Sequence, residues 1–220
     1  MRRCRVALHL CGAAAENVAP HVISMTILSE AFLLAGLGRP FDGTLRLPGG
    51  IWIRIRPLRV TDGPLLRDGF ARLSPESRRS RFFLPIRELS DHALARMTDV
   101  DGRDRAAVLA VSLQDQHGVG VARYVRSNED PTRAEIAVTI ADEVQGKGLG
   151  PTLLRELGKV ARDAGIETFT MDVLSDNVRA RRALRHFDAE WVGREGEVAK
   201  YTLPVSALVP ARRRSWPFAA

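Results

Sequence analysis

The sequence predicts an α/β chain of the α+β type: a twisted, mostly antiparallel sheet with one parallel strand pair and flanking helices. Three observations carry this. Ile51, Ile53 and Ile55 alternate with Trp52, Arg54 and Arg56, the period of a strand with one buried face. Ala106–Leu113, Val119–Arg126 and Arg133–Ile140 are strand-like runs separated by turns, which makes a meander. From Arg133 to Leu174 a strand, a helix and a strand follow one another, and such a crossover leaves its two strands parallel.

The elements between these follow in order. Thr61-Asp62 offers an N-cap, with Pro64 early in a helix running to about Leu73. Ser74-Pro75-Glu76-Ser77 is a second helix start, its proline suited to the first turn. Ser90-Asp91 opens a third short helix through Met97. From Gly148 to Ala164, the positions Leu149, Leu153, Leu154, Leu157, Val160, Ala161 and Ala164 share one helical face, and Gly165 ends that helix. Glu167–Leu174 reads as a strand. Asp176 is expected to cap a helix to Phe187, and two closing strands lie near Glu190–Val192 and Glu197–Leu203.

Pro48-Gly49-Gly50 divides the chain. Residues 1–48 read as a leader or weakly ordered extension, 49–205 as the folded domain, and 206–220 as a basic tail carrying Arg212, Arg213 and Arg214. The 220 residues are 45% hydrophobic and 27% charged, enough for one core without crosslinks. Cys4 and Cys11 form no CxxC pair, so neither a disulfide framework nor a zinc site is indicated. The apolar stretch 22–38 carries Glu30, which argues against a membrane span. A net charge of +7 is nearly all arginine, and no basic run interleaves with aromatics, so nucleic acid is not expected. A field of that sign does suit a polyanionic ligand.

Asp142 to Gly150 lies between a strand and the amphipathic helix. Glycines there let successive backbone N–H groups turn toward one point, and the helix N-terminus adds positive potential, a combination that binds a diphosphate. Pro151 supports the helix start. Lys147 is followed by Gly148 rather than Ser or Thr, which removes a Walker A loop. Position 151, where a dinucleotide fingerprint from Gly146 needs glycine, is proline.

Gln145-Gly146-Lys147-Gly148-Leu149-Gly150 resembles the Gln/Arg-x-x-Gly-x-Gly/Ala acetyl-CoA motif of the Gcn5-related N-acetyltransferase (GNAT) superfamily. The strand Ala134–Ile140 before it and Asp176-Asn177-Val178-Arg179-Ala180 after it, similar to the family's Asn-x-x-Ala helix start, extend the resemblance over roughly Ile51 to Pro204. It implies a GNAT fold in which the strand ending at Ile140 splays from the strand 168–174, and acetyl-CoA as co-substrate with its pantetheine arm in the gap. The backbone of Val138, Thr139 and Ile140 would contact that arm. Amides of Gln145, Gly146, Lys147, Gly148, Leu149 and Gly150, with Pro151 and Thr152 behind them, would hold the diphosphate, and Asn177 would reach in from the other side.

Acetyl transfer to an amine needs a deprotonated nitrogen. A lysine amine of pKa ~10.4 costs on the order of 4.6 kcal/mol to deprotonate at pH 7. A general base, a positioned thioester and a backbone N–H near Thr139 or Ile140 as oxyanion donor lower that burden. Glu135, with Ala137 and Thr139 on the face opposite Ile136, Val138 and Ile140, is the candidate base and resembles the glutamate of some GNAT protein acetyltransferases. An exposed carboxylate paired with an arginine is the alternative. Leu184 stands near the position where many members carry a tyrosine acid, and Phe187-Asp188-Ala189 replaces the usual glycine before the final strands. Arg56–Arg59 with Leu73–Phe83 looks like the acceptor-side helices of bacterial protein-lysine acetyltransferases that modify acyl-CoA synthetases. The expectation is transfer to a protein lysine in the cytoplasm. A small-molecule amine, or a non-catalytic acyl-CoA sensor, is the alternative.

Overall fold

The computed structural model describes residues 42–209. Of the expected leader (1–48) and basic tail (206–220), residues 1–41 and 210–220 lie outside the described residues. Eight strands form one sheet: β1 (Gly43–Arg46), β2 (Trp52–Pro57), β3 (Arg105–Ser112), β4 (Gly118–Arg126), β5 (Arg133–Ile140), β6 (Thr168–Leu174), β7 (Glu190–Glu195) and β8 (Val198–Pro204). Their order is β1-β2-β3-β4-β5-β6-β8-β7, antiparallel throughout except for β5 beside β6. The mixed sheet with one parallel pair is as the sequence predicts.

Both ends of the expected domain shift outward. Leu45 pairs with Ile53 and Thr44 with Arg54, so the sheet begins at Gly43 and not after residue 48. Pro48-Gly49-Gly50 is the hairpin turn between β1 and β2, with Gly49 and Gly50 at φ +89° and +83°. A four-residue edge strand is too short to show an alternating pattern of its own. At the other end, a short helix, α6 (Val205–Leu208), buries Val205 and Leu208 in the main core, inside what reads as the start of the tail.

One face of the sheet carries α1 (Gly63–Ala71), α2 (Pro75–Phe82) and α3 (Asp91–Thr98), and the other carries α4 (Leu149–Asp163). Leu149, Leu153 and Leu157 of α4 meet Ile53, Ala122, Phe169 and Leu203 in the larger core. Each such side chain contributes about 1.5–3 kcal/mol. Leu66, Phe70, Phe82, Leu94 and Met97 form a second apolar cluster over Ala107, Leu109 and Val111 of β3. Helix α1 touches the β3–β4 hairpin backbone to backbone. A Cβ on Gly69 would stand 2.8 Å from the Gly118 carbonyl oxygen, and one on Gly118 2.9 Å from that of Leu65.

The caps follow the sequence with two differences. Ser74 and Ser90 accept from the N–H groups of Ser77 (3.2 Å) and Ala93 (3.1 Å). Asp62 precedes α1 without capping it. Its carboxylate accepts from both Arg56 Nη atoms at 2.6 and 2.8 Å and from the Arg59 N–H at 2.7 Å. Burial alone would raise its pKa, but these donors outweigh that and hold it below the ordinary carboxylate range. Before α5 (Val178–His186), the cap is Asn177, whose Oδ1 accepts from the Ala180 N–H at 3.0 Å, and not Asp176. Asp176 instead pairs with Arg79 at 2.7 Å, a partner 97 residues away.

Candidate active site

Strands β5 and β6 pair only through Arg133–Thr168, Ala134–Phe169 and Glu135–Thr170. Beyond Glu135 they part, as expected, and open a cleft between Val138–Ile140 and the C-terminal half of β6. The Ala141 N–H bonds to Val119 O at 2.9 Å, and with the β4–β5 register this fixes the alternation. The backbone groups of Thr139 and Ala137 turn to β4, and those of Val138 and Ile140 turn into the cleft. Of the three residues expected to contact the pantetheine arm through backbone, Val138 and Ile140 are placed to do so. Thr139 offers its side chain to the opposite face, where it lines an apolar cavity with Leu66, Phe70, Phe82, Leu109 and Val121.

At the mouth of the cleft the chain makes a turn that only glycine adopts freely: Gly146 and Gly148 stand at φ +73° and +84°, with nothing within 4 Å of where a Cβ would be. Gly148 precedes α4 with no side-chain cap, so the N–H groups of Leu149 and Gly150 at a 15-residue helix have no side-chain acceptor. This is an anion cradle of the kind a diphosphate fits. Leu149 takes part by backbone alone, since its side chain is buried in the core. The Thr152 hydroxyl donates to Gly148 O at 3.0 Å and braces the turn. Lys147 runs back against the β1–β2 turn, its Nζ 3.6 Å from where a Gly49 Cβ would be.

Gln145 is placed differently from the rest of the motif. Its Nε2 donates to Ile140 O (3.0 Å) and Ser77 Oγ (3.1 Å), and its Oε1 accepts from Arg179 of α5. The glutamine ties the end of β5 to α2 and α5. Asp142 strengthens the same tie, accepting from the Ser74 N–H (2.8 Å), Ser74 Oγ (3.0 Å) and Ser77 Oγ (2.7 Å). Arg79 reaches across the other way, to Asp176 (2.7 Å) and Glu197 (3.1 Å). Helix α2 is thereby moored to both sides of the cleft.

Glu135 lies half-buried at the point where the strands part, on the face covered by α2. Burial raises its pKa to about 7, the Asp172 carboxylate adds to the rise, and Arg81 and Lys200 oppose it. It is half-buried rather than exposed, and the arginine whose charge acts on it is Arg81. Arg133, the neighbour that could have paired with it, bonds to Asp130 at 3.3 Å. Asp172, Lys200 and Arg81 carry no sequence signal for this place. They reach it through strand register and helix packing.

A family model of the acetyltransferase (GNAT) domain matches residues 53–190. An acetyltransferase of Pseudomonas aeruginosa is 38% identical over 141 residues, 63% of this chain and 73% of that protein. The chain belongs to the GNAT acetyltransferase family. The acetyltransferase Pat of Mycolicibacterium smegmatis is 29% identical over 143 residues, 65% of this chain but only 43% of its own length. The GNAT domain of the Streptomyces lividans protein PAT superposes with a TM-score of 0.69 at 27% identity, covering 74% of this chain and 96% of that one. As a GNAT acetyltransferase the protein uses acetyl-CoA as co-substrate, and the splayed strands and glycine turn are the parts that fit it.

Within that family two departures stand out. Leu184 is buried in the core, so the position where many members carry a tyrosine holds no acid. Asp188 sits at φ +54°, a left-handed turn usually given to glycine. Neither tyrosine replaces the missing acid. Tyr124 is fully buried and donates to Arg103 O at 2.9 Å, its pKa pushed up by burial, and Tyr201 packs in the main core. With the Asn177 Oδ1 engaged as a cap, only its amide N–H groups remain to donate elsewhere. Among the described residues no helix is long and apolar enough to cross a membrane.

Proposed function

We propose that this GNAT enzyme acetylates a primary amine by direct attack in a ternary complex, with Glu135 as general base and a protein lysine as acceptor. The observation that carries the reading is the setting of Glu135: half-buried, on the acceptor face, where β5 leaves β6, with a pKa of about 7. A base poised near the operating pH takes a proton from an ammonium, and about half of it is in the ionised, accepting form at neutral pH. The gap-facing backbone of Val138 and Ile140 positions the thioester, and the Ile140 N–H is the donor suited to the developing oxyanion. The amides of Gly146–Gly150 hold the diphosphate. With no tyrosine at position 184, the thiolate leaves unassisted or takes its proton from water, as a thiol of ordinary pKa ~8.5 permits.

The resemblance of Arg56–Arg59 and Leu73–Phe83 to the acceptor-side helices of bacterial protein-lysine acetyltransferases supports a protein acceptor, and the catalytic unit comprises the sheet from β1 through α6. The cytoplasm, where acetyl-CoA is made, is the proposed location. The test is intact-protein mass spectrometry of an acyl-CoA synthetase incubated with acetyl-CoA and either wild type or Glu135→Gln. An acetyl adduct with wild type alone supports both the acceptor and the base. Equal adducts reject the base, and no adduct with confirmed acetyl-CoA binding rejects this acceptor.

A further inference from the structure

Helix α2 closes the acceptor face over β5, and its last turn carries Arg81, whose guanidinium lies over the Phe82 ring and whose charge acts on Glu135. Arg81 is 8% exposed, yet it makes no hydrogen bond or ion pair among the described residues. Arg123 of β4 lies behind it, 6% exposed. Its one bond, to the Arg96 carbonyl, is 3.4 Å long, and its Nε is buried without a partner. Burial and the Arg123 charge both pull the Arg81 guanidinium below its ordinary pKa, while the Glu135 carboxylate on the same face opposes them. Burying a cation with no hydrogen-bonded counterion is unfavourable, and an apolar side chain of the same volume is often the more stable choice. Elsewhere the same face does pair its buried charge: Arg56 has Asp62 in a two-bond fork. Planar guanidinium groups match carboxylates in that way.

We propose that Arg81, backed by Arg123, is an anion subsite of the acceptor pocket, and that the preferred acceptor carries a carboxylate near its reactive amine. Glu135 takes the proton from the amine while Arg81 holds the carboxylate, which fixes the direction from which the nitrogen approaches. This rests on the acceptor-side reading of Glu135 given above. Two sources share this chemistry: the carboxylate of a free amino acid, and an acidic side chain beside a target lysine.

The test is equilibrium binding to the full chain in the presence of free CoA, where no acetyl can move. Two matched pairs separate the sources: lysine against cadaverine, and a peptide with Glu-Lys-Glu against one with Gln-Lys-Gln. At least ten-fold tighter binding of the carboxylated member is expected in one pair. In Arg81→Met that ratio falls to about one, and in Arg81→Lys part of it remains. Arg81→Met is also expected to melt about 2–4 °C higher, a gain that confirms folding and shows the charge is not there for stability. The absence of a preference in both pairs overturns the proposal. So does a preference that survives Arg81→Met, or an Arg81→Met that shifts only the pH profile of turnover, for Arg81 would then serve Glu135 alone. Parallel assays with acetyl-CoA keep the two readings apart: bound acceptors that Glu135→Gln acetylates as fast as wild type reject the base and leave the subsite standing.

Discussion

On the α4 face of the sheet, Leu149, Leu153, Leu157, Phe169 and Leu203 interdigitate with almost no exposed surface. On the opposite face an apolar cluster of similar kind is interrupted by charge: Arg56, Asp62, Arg81 and Arg123 are buried there, and Glu135 half-buried. A sheet has two sides to cover, and this one divides the work. The α4 side supplies stability by close packing, and the α1–α3 side holds desolvated charge, where burial moves the Glu135 carboxyl up to about 7.

If that division is right, variants on the two faces fail in different ways. The largest effect is expected from Leu157→Ala, a loss of about 3–4 kcal/mol in denaturant unfolding with the KM for acetyl-CoA of the folded protein unchanged. A KM that rises in step would mean the packed face also sets the cleft. Next comes Glu135→Gln, with kcat lowered about 100-fold or more and acetyl-CoA affinity kept. In wild type, kcat/KM should climb with pH through about 7, a limb the variant lacks.

The same residue has a stability signature of opposite sign. A carboxyl whose folded pKa is raised contributes most when protonated, below its unfolded value near 4.5, and that contribution is lost as pH rises through about 7. Glu135→Gln should therefore gain about 2 kcal/mol over wild type at pH 8 and little at pH 4, read from urea midpoints at both. Gly148→Ala places a side chain at φ +84°, at a cost of about 1 kcal/mol in stability, and raises the KM for acetyl-CoA about ten-fold, with kcat at saturation little changed. The smallest effect is Ser77→Ala. It removes one bond to Asp142 and one to Gln145, costs about 1 kcal/mol, and loosens α2, so the acceptor KM rises more than the acetyl-CoA KM.

The two faces were also unequally legible. The α4 helix and its register follow from leucine spacing, and the glycine turn follows from residue types whose backbone freedom is local. Glu135 could be placed on its face by strand alternation alone. What surrounds it could not: Asp172, Lys200 and Arg81 arrive from β6, β8 and α2, and no local pattern encodes such a meeting. Gln145 shows the same limit within a motif. Its position was readable, but not that its side chain would tie Ser77, Ile140 and Arg179 together. The exchange of Asp176 for Asn177 as the cap has a similar cause, since both residues cap well and a remote arginine decides between them. The first strand and α6 escaped notice because each is only four residues long.

The two missing Cβ atoms where α1 lies on the β3–β4 hairpin have a practical corollary. The proposed acceptor wall, from Leu58 to Met97, is a continuous stretch of chain with its own apolar cluster, and it docks on the sheet through a joint that admits only hydrogens at Gly69 and Gly118. Such a stretch can be transplanted. Exchanging it as a cassette between relatives, with those two glycines kept, should move acceptor preference while the thioester end of the enzyme stays as it was.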